Sequence, residues 1–294
     1  MRIMVAGASG QVGRELCRHG LASGFEVIAP ERVSLDIGDA TGVRQLVTEA
    51  TPDIVFNAAA WTGVDDAESQ PAQALQVNCD GALNLATACA EHSIPLVHYS
   101  TDYVFDGTKA SAYVEDDAPG PINAYGRSKL AGEEAVRARH EQHLILRSSW
   151  IFSAHRSNFV KTMLKLGAAR SEVRVVADQI GKPTSAATIA QISLAMASDE
   201  RRAWGTYHLA QPEAVSWHDF AIAIFEAATE RGMTLAVENV VPIATEDFPT
   251  AAKRPANSVL DCYKLEDRFE LVIQDWHDAL HTVVGELVSD EIST

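Results

Sequence analysis

The sequence predicts a doubly wound α/β fold, a parallel sheet with helices on both faces, followed by a smaller C-terminal α/β unit. Three observations carry this expectation. The chain opens on a short apolar run that enters a glycine-rich turn and then a helical pattern. Short apolar runs alternate with helical stretches as far as residue 150, the rhythm of βαβ units. Beyond residue 150 the alternation becomes irregular, so the expected domains are 1–150 and 151–294, with segments from 170–215 completing the first sheet.

The 294 residues are 47% hydrophobic and 22% charged, enough to bury sizeable cores and unlike a disordered chain. Forty acidic against 24 basic side chains leave a net charge of −16, which argues against nucleic acid or an anionic membrane as partner. A small anion held by helix N-termini and a few arginines stays compatible with that field. Cys17, Cys79, Cys89 and Cys262 form no Cys-x-x-Cys pair, as in a reduced cytoplasmic protein. The chain begins directly on a strand, so no signal peptide is expected, and no apolar run approaches the roughly 20 residues of a membrane span.

Arg2–Ala6 reads as a buried parallel strand by length and residue type. Gly7-Ala-Ser-Gly10-Gln11-Val12-Gly13 follows, then a helix to about Ser23 closed by Gly24. Glycines between strand and helix let the backbone approach a pyrophosphate at the helix N-terminus, a Rossmann-type arrangement for a dinucleotide. Glu26–Ala29 is the second strand. After it stand Glu31, which suits the free ribose of NADH, and Arg32, which suits the 2′-phosphate of NADPH. The choice is open, with Arg32 tipping it slightly to NADPH. Asp39 is placed to cap the next helix.

Pro52–Asn57 is a strand ending in the small residues Ala58, Ala59 and Ala60 before Trp61 and Thr62, leaving room for a cofactor. One long helix is predicted over Pro71–Glu91, with Asn78 in its middle either buried and hydrogen-bonded or facing solvent. Pro95–Ser100 is a strand with Thr101 and Asp102 at its carboxyl end, where open α/β sheets place reactive groups. A long irregular stretch, Asp106–Asn123, precedes a helix starting near Tyr125. Tyr125 and Lys129 lie four residues apart there, so phenol and ammonium are expected side by side, the charge making the phenol a stronger acid. Leu144–Arg147 is the next strand, leading to Ser148-Ser149-Trp150.

In the second half, helices are predicted over Asn158–Leu166, Ala186–Ala197, Ser216–Arg231 and Gln274–Val288, with Ser216 capping the third. Strands are predicted over Val173–Ala177, Tyr207–Ala210 and Val237–Pro242. Arg254 falls in an irregular stretch, and the tail from Ser289 is expected to fray. His277 and His281 have zinc-ligand spacing, but on an amphipathic helix with no recognisable third ligand they read as solvent-side residues, and no metal is expected. No Gly-x-Ser-x-Gly marks a serine hydrolase.

Taken together, Gly7–Gly13, Thr101 and Tyr125-x-x-x-Lys129 resemble the extended short-chain dehydrogenase/reductases. The phrases HYSTDYVFDG (98–107), NAYGRSKLAGE (123–133), RSSWIF (147–152), DQIGKPT (178–184) and RPANSVLD (254–261) extend the resemblance over nearly the whole chain. It implies hydride transfer from NADPH or NADH to the C4 carbonyl of a dTDP-linked sugar. Tyr125 would be the proton donor, Lys129 its electrostatic partner and holder of the nicotinamide ribose, and Thr101 a second hydrogen bond to the same oxygen. By the same resemblance Gly7, Gly10, Gln11 and Val12 border the pyrophosphate, Asp36 and Ile37 the adenine, and Ala60, Trp61 and Thr62 the middle of the cofactor. Asp102 and Trp150 line the sugar pocket, and Arg254 faces the substrate diphosphate. Some relatives pair through a magnesium site of glutamates. Glu15 matches one, but Ala187 stands where another is expected, which argues against magnesium and leaves a homodimer open. A nucleotide-sugar epimerase and a non-catalytic NADP-binding regulatory subunit, of the methionine adenosyltransferase type, share these motifs.

Overall fold

The computed structural model describes residues 1–292. The first half runs β1 (Arg2–Ala6), α1 (Gln11–Ala22), β2 (Glu26–Ile28), α2 (Ala40–Ala50), β3 (Ile54–Asn57), α3 (Val64–Ser69) and α4 (Pro71–Leu75). A π-helical turn, Gln76–Asp80, leads into α5 (Gly81–Glu91), then β4 (Leu96–Thr101), α6 (Ala124–Arg139) and β5 (His143–Ser148). The second half runs β6 (Ile151–Phe152), α7 (Phe159–Ala169), β7 (Glu172–Val176), β8 (Ile180–Gly181), β9 (Thr184–Ser185), α8 (Ala186–Ser198) and β10 (Gly205–His208). It continues with β11 (Val215–Ser216), α9 (Trp217–Glu230), β12 (Asn239–Ile243), β13 (Asn257–Ser258), α10 (Tyr263–Phe269) and α11 (Trp276–Ile292).

Six parallel strands form one sheet in the order β10-β5-β4-β3-β1-β2. Its central strands β1, β3, β4 and β5 are buried along nearly their whole length because both faces are covered. Ile3 and Val5 of β1 point into one core with Leu16 of α1 and Ile189 of α8. Met4 and Ala6, one residue out of phase, point into the other with Val43 and Val47 of α2 and Leu85 of α5. A third core joins Phe152 of β6 with Val160, Phe220, Ile224, Trp276 and Val284 from the later helices.

From β1 the chain goes outward to β2 and then returns past β1 to β3, so the strand order reverses between them. Ligands of open α/β sheets bind at such a reversal, outside the carboxyl ends of the strands. Caps fix the helices as the sequence suggests: Asp39 accepts from the Thr41 amide at 3.0 Å and Ser216 from the Asp219 amide at 3.0 Å.

Three local features depart from expectation. The helix expected as one piece over Pro71–Glu91 contains the π turn, whose extra residue per turn carries no pattern in composition. The short α3 was not anticipated, because six residues are too few to show an amphipathic period. α11 continues to Ile292, through the segment where fraying is expected from Ser289; residues 293–294 of that tail lie outside the described residues. All four cysteines are free, and burial pushes the thiols of Cys89 and Cys262 up to about 12. No helix among the described residues is long and apolar enough to cross a membrane.

Candidate active site

At the strand-order reversal lies a cleft of about 810 Å³. Every residue assigned to a cofactor from sequence lines it: Gly7, Gly10, Gln11, Val12, Arg32, Asp36, Ile37, Ala60, Trp61, Thr62, Tyr125 and Lys129. Two glycines of the turn have no space for a side chain. Gly7 sits at φ +78, and a Cβ there would meet the Ala59 amide nitrogen at 2.5 Å. A Cβ on Gly13 would lie 2.2 Å from the Gly7 carbonyl oxygen. The first turn of α1 contains no acidic residue, so its free N–H groups form a site suited to an anion.

The chemical end of the cleft is built on α6 and the end of β4. Asn123 caps α6, accepting from the Gly126 amide at 2.7 Å, and sets the helical turn that presents Tyr125. Lys129 is 3% exposed, and its Nζ donates to the Tyr99 carbonyl at 2.6 Å. Burial pushes this ammonium down to about 8, with Glu133 offsetting part of the fall. Burial raises the Tyr125 phenol above its ordinary value, and a hydrogen bond with Thr101 offsets part of that. The i,i+4 spacing predicts the opposite direction for Tyr125, with the ammonium facing the phenol; instead the lysine is turned to the Tyr99 carbonyl and desolvation dominates.

Thr101 donates to Asp102 Oδ1 at 3.0 Å and accepts from the Tyr103 amide at 3.2 Å. Asp102 is buried, its Oδ2 has no hydrogen-bond partner, and burial pushes its carboxyl up to about 6. Behind Lys129, Glu133 accepts from Ser100 Oγ at 2.5 Å and from Arg147 at 2.8 and 2.7 Å. This buried fork ties α6 to β4 and β5.

Asn78, left undecided from sequence, is the buried hydrogen-bonding residue. Its Oδ1 accepts from the Trp61 amide at 2.9 Å, and its Nδ2 donates to the Trp61 carbonyl at 3.1 Å and Ser128 Oγ at 2.9 Å. It pins the cleft wall to the helix of Tyr125. Asn78→Ala would leave the Trp61 amide unpaired and is expected to cost about 1–3 kcal/mol of stability in denaturant titrations.

The residues assigned to the sugar side stand apart from the cleft lining. Trp150 adopts φ +49 and stacks on Trp217, with ring centroids 3.5 Å apart, so one of its faces is already covered. Arg254 Nη2 is paired with Asp65 at 2.7 Å. Neither Trp217 nor Asp65 had a sequence signal, since both contacts are long-range. Ser9, Ser100 and Arg156 also line the cleft. The first two adjoin recognised motifs; Arg156 does not.

Glu15, the residue matched to a magnesium site, is 3% exposed and faces Arg18 at 2.6 Å, His155 at 3.2 Å and His19 at 3.5 Å. A carboxylate already surrounded by basic side chains does not fit a divalent cation. The two i,i+4 histidines diverge: His277 faces Asp275 and Glu213, and His281 faces Glu230 at 3.6 Å.

The model of the family described as the RmlD substrate binding domain matches residues 1–289. The dTDP-4-dehydrorhamnose reductase of Burkholderia thailandensis is 45% identical over 298 residues, covering 98% of this chain and 100% of that protein. Two crystal structures of dTDP-4-dehydrorhamnose reductases share the fold. One, from Bacillus anthracis in complex with NADP, has a TM-score of 0.91 at 37% identity and covers 97% of this chain and 99% of its own. The other, from Clostridium acetobutylicum, has a TM-score of 0.92 at 36% identity and covers 100% of both. With a cleft at the strand reversal, a tyrosine and a buried lysine on one helix, and full-length similarity, this chain belongs to the RmlD family of dTDP-4-dehydrorhamnose reductases.

Proposed function

We propose that the chain catalyses the NAD(P)H-dependent reduction of the C4 keto group of dTDP-4-dehydro-β-L-rhamnose, giving dTDP-β-L-rhamnose in rhamnose biosynthesis. The observation that carries this is the placement of Tyr125 and Lys129 in the same cleft as the glycine turn, with Lys129 bonded to β4, the strand that ends in Thr101. Residues 1–150 would bind the coenzyme and 151–294 mainly the sugar nucleotide. A bound nicotinamide would supply the hydride.

The rest is done by side chains of this chain. Tyr125 gives its phenolic proton to the oxygen at C4; its raised pKa keeps that proton in place at neutral pH until it is needed. Lys129 stays oriented by the Tyr99 carbonyl, and its two remaining N–H groups hold ribose hydroxyls and offset charge left on Tyr125. Thr101 has one proton, now aimed at Asp102, so it stabilises the C4 oxygen only after its hydroxyl rotates. The unpartnered Oδ2 of Asp102 supports a hydrogen bond from a sugar hydroxyl. Arg254 would exchange Asp65 for the substrate diphosphate, or hold both on its fork. Arg32 is exposed and forms no ion pair among the described residues, which favours NADPH.

The deciding assay is coenzyme oxidation with enzymatically prepared dTDP-4-dehydro-L-rhamnose, comparing NADPH and NADH. Coenzyme binding without oxidation would overturn the reductase reading, and tightly retained NAD in the purified protein would point to an epimerase. The contact of Lys129 requires its charge, which exists below its pKa. The kcat/KM for coenzyme is therefore expected to fall as pH rises through about 8, a limb that Lys129→Met should remove.

A further inference from the structure

Residues 153–158 form a strap across the glycine turn. Ser153 Oγ and Asn158 Nδ2 donate to Gln11 Oε1 at 2.8 and 3.0 Å. His155 Nε2 lies 3.2 Å from the buried Glu15 carboxylate, one helical turn further along α1. Between these anchors Arg156 adopts φ +58, a left-handed conformation uncommon for a residue other than glycine. Its guanidinium reaches the turn itself, donating from Nε to the Ser9 carbonyl at 2.9 Å and from Nη2 to Ser9 Oγ at 3.1 Å.

Arg156 lines the cleft and has no acidic partner among the described residues. The cleft holds three cationic side chains in different places. Arg32 follows β2 at the outer side, Lys129 lies beside β4, and Arg156 stands over the turn between β1 and α1. Arg156 is exposed and thus free to meet a ligand, and the strap delivers its cation to the start of α1, beside N–H groups already suited to an anion.

We propose that Arg156 contacts the coenzyme pyrophosphate, closing the anion site begun by the N–H groups of α1. Gln11 and Glu15 hold the strap, Ser9 orients the guanidinium, and the rest of the fork faces the phosphate oxygens. This rests on the coenzyme-binding reading of the cleft, and the test separates the two. NADPH and NADH are titrated separately into the full chain and into Arg156→Gln, followed by nicotinamide fluorescence.

The expected result is a loss of about tenfold in affinity, the same for both coenzymes. Arg156→Lys, which keeps the charge, is expected to recover most of it. Unchanged affinities would overturn the assignment. A loss confined to NADPH would assign the contact to the 2′-phosphate and overturn the pyrophosphate role. A Lys variant as weak as the Gln variant would overturn a charge-borne contact with the pyrophosphate. If the unmodified chain bound neither coenzyme, the reading of the cleft itself would fail.

Discussion

Tyr125→Phe is expected to lower turnover by about 10²- to 10⁴-fold, the range for losing a positioned acid. Thr101 is no substitute as the acid: its hydroxyl already donates to Asp102 Oδ1, and when rotated it would hydrogen-bond the C4 oxygen without giving up its proton. The ring would keep its edge contact with Tyr103, whose centroid is 5.7 Å away, so folding and coenzyme affinity should change little. Steady-state kinetics alongside coenzyme titration would check both halves of the expectation. Near-normal turnover would remove Tyr125 from the mechanism.

Glu133→Ala should produce the largest loss of stability, about 3–5 kcal/mol. Glu133 is 0% exposed and Arg147 only 2%, so truncation leaves a guanidinium buried without its counter-charge. The melting temperature should fall by roughly 10 °C, from about 2–4 °C per kcal/mol for chains approaching this size. A cost under about 1 kcal/mol would mean that Arg147 finds another partner. Burial alone would raise the Glu133 carboxyl, but Arg147, Ser100 and Arg137 outweigh it and bring it to about 2, below the ordinary 4.5. The folded value lies below the unfolded one. The stabilisation is therefore complete above about pH 4.5 and lost as pH falls towards 2, a window that acid titration of wild type against Glu133→Gln would expose.

Much of this molecule is written locally. Strands of β1 type, buried on both faces, show as apolar runs, and Asp39 and Ser216 announce their helices through a side-chain oxygen within three residues of the amide it meets. The glycine turn is legible because steric exclusion acts within a few residues: Gly13 must clear the carbonyl of Gly7. The two-residue strands β6, β8, β9, β11 and β13 are not legible, since two residues have no period. The π turn escapes for a related reason, its role being to aim Asn78 at a main chain 17 positions back.

At the site, sequence alone determined which groups are available: a phenol and an ammonium one helical turn apart, a hydroxyl at a strand end, and glycines where a pyrophosphate fits. The tertiary structure decided what each group is bonded to and how it titrates. It turned Lys129 to the Tyr99 carbonyl, set Glu133 between Ser100 and Arg147, and brought Arg156 across 147 positions to Ser9. The reason is physical: side-chain types and short spacings survive in one dimension, whereas desolvation and long-range charge pairing arise only when separate elements bury one another.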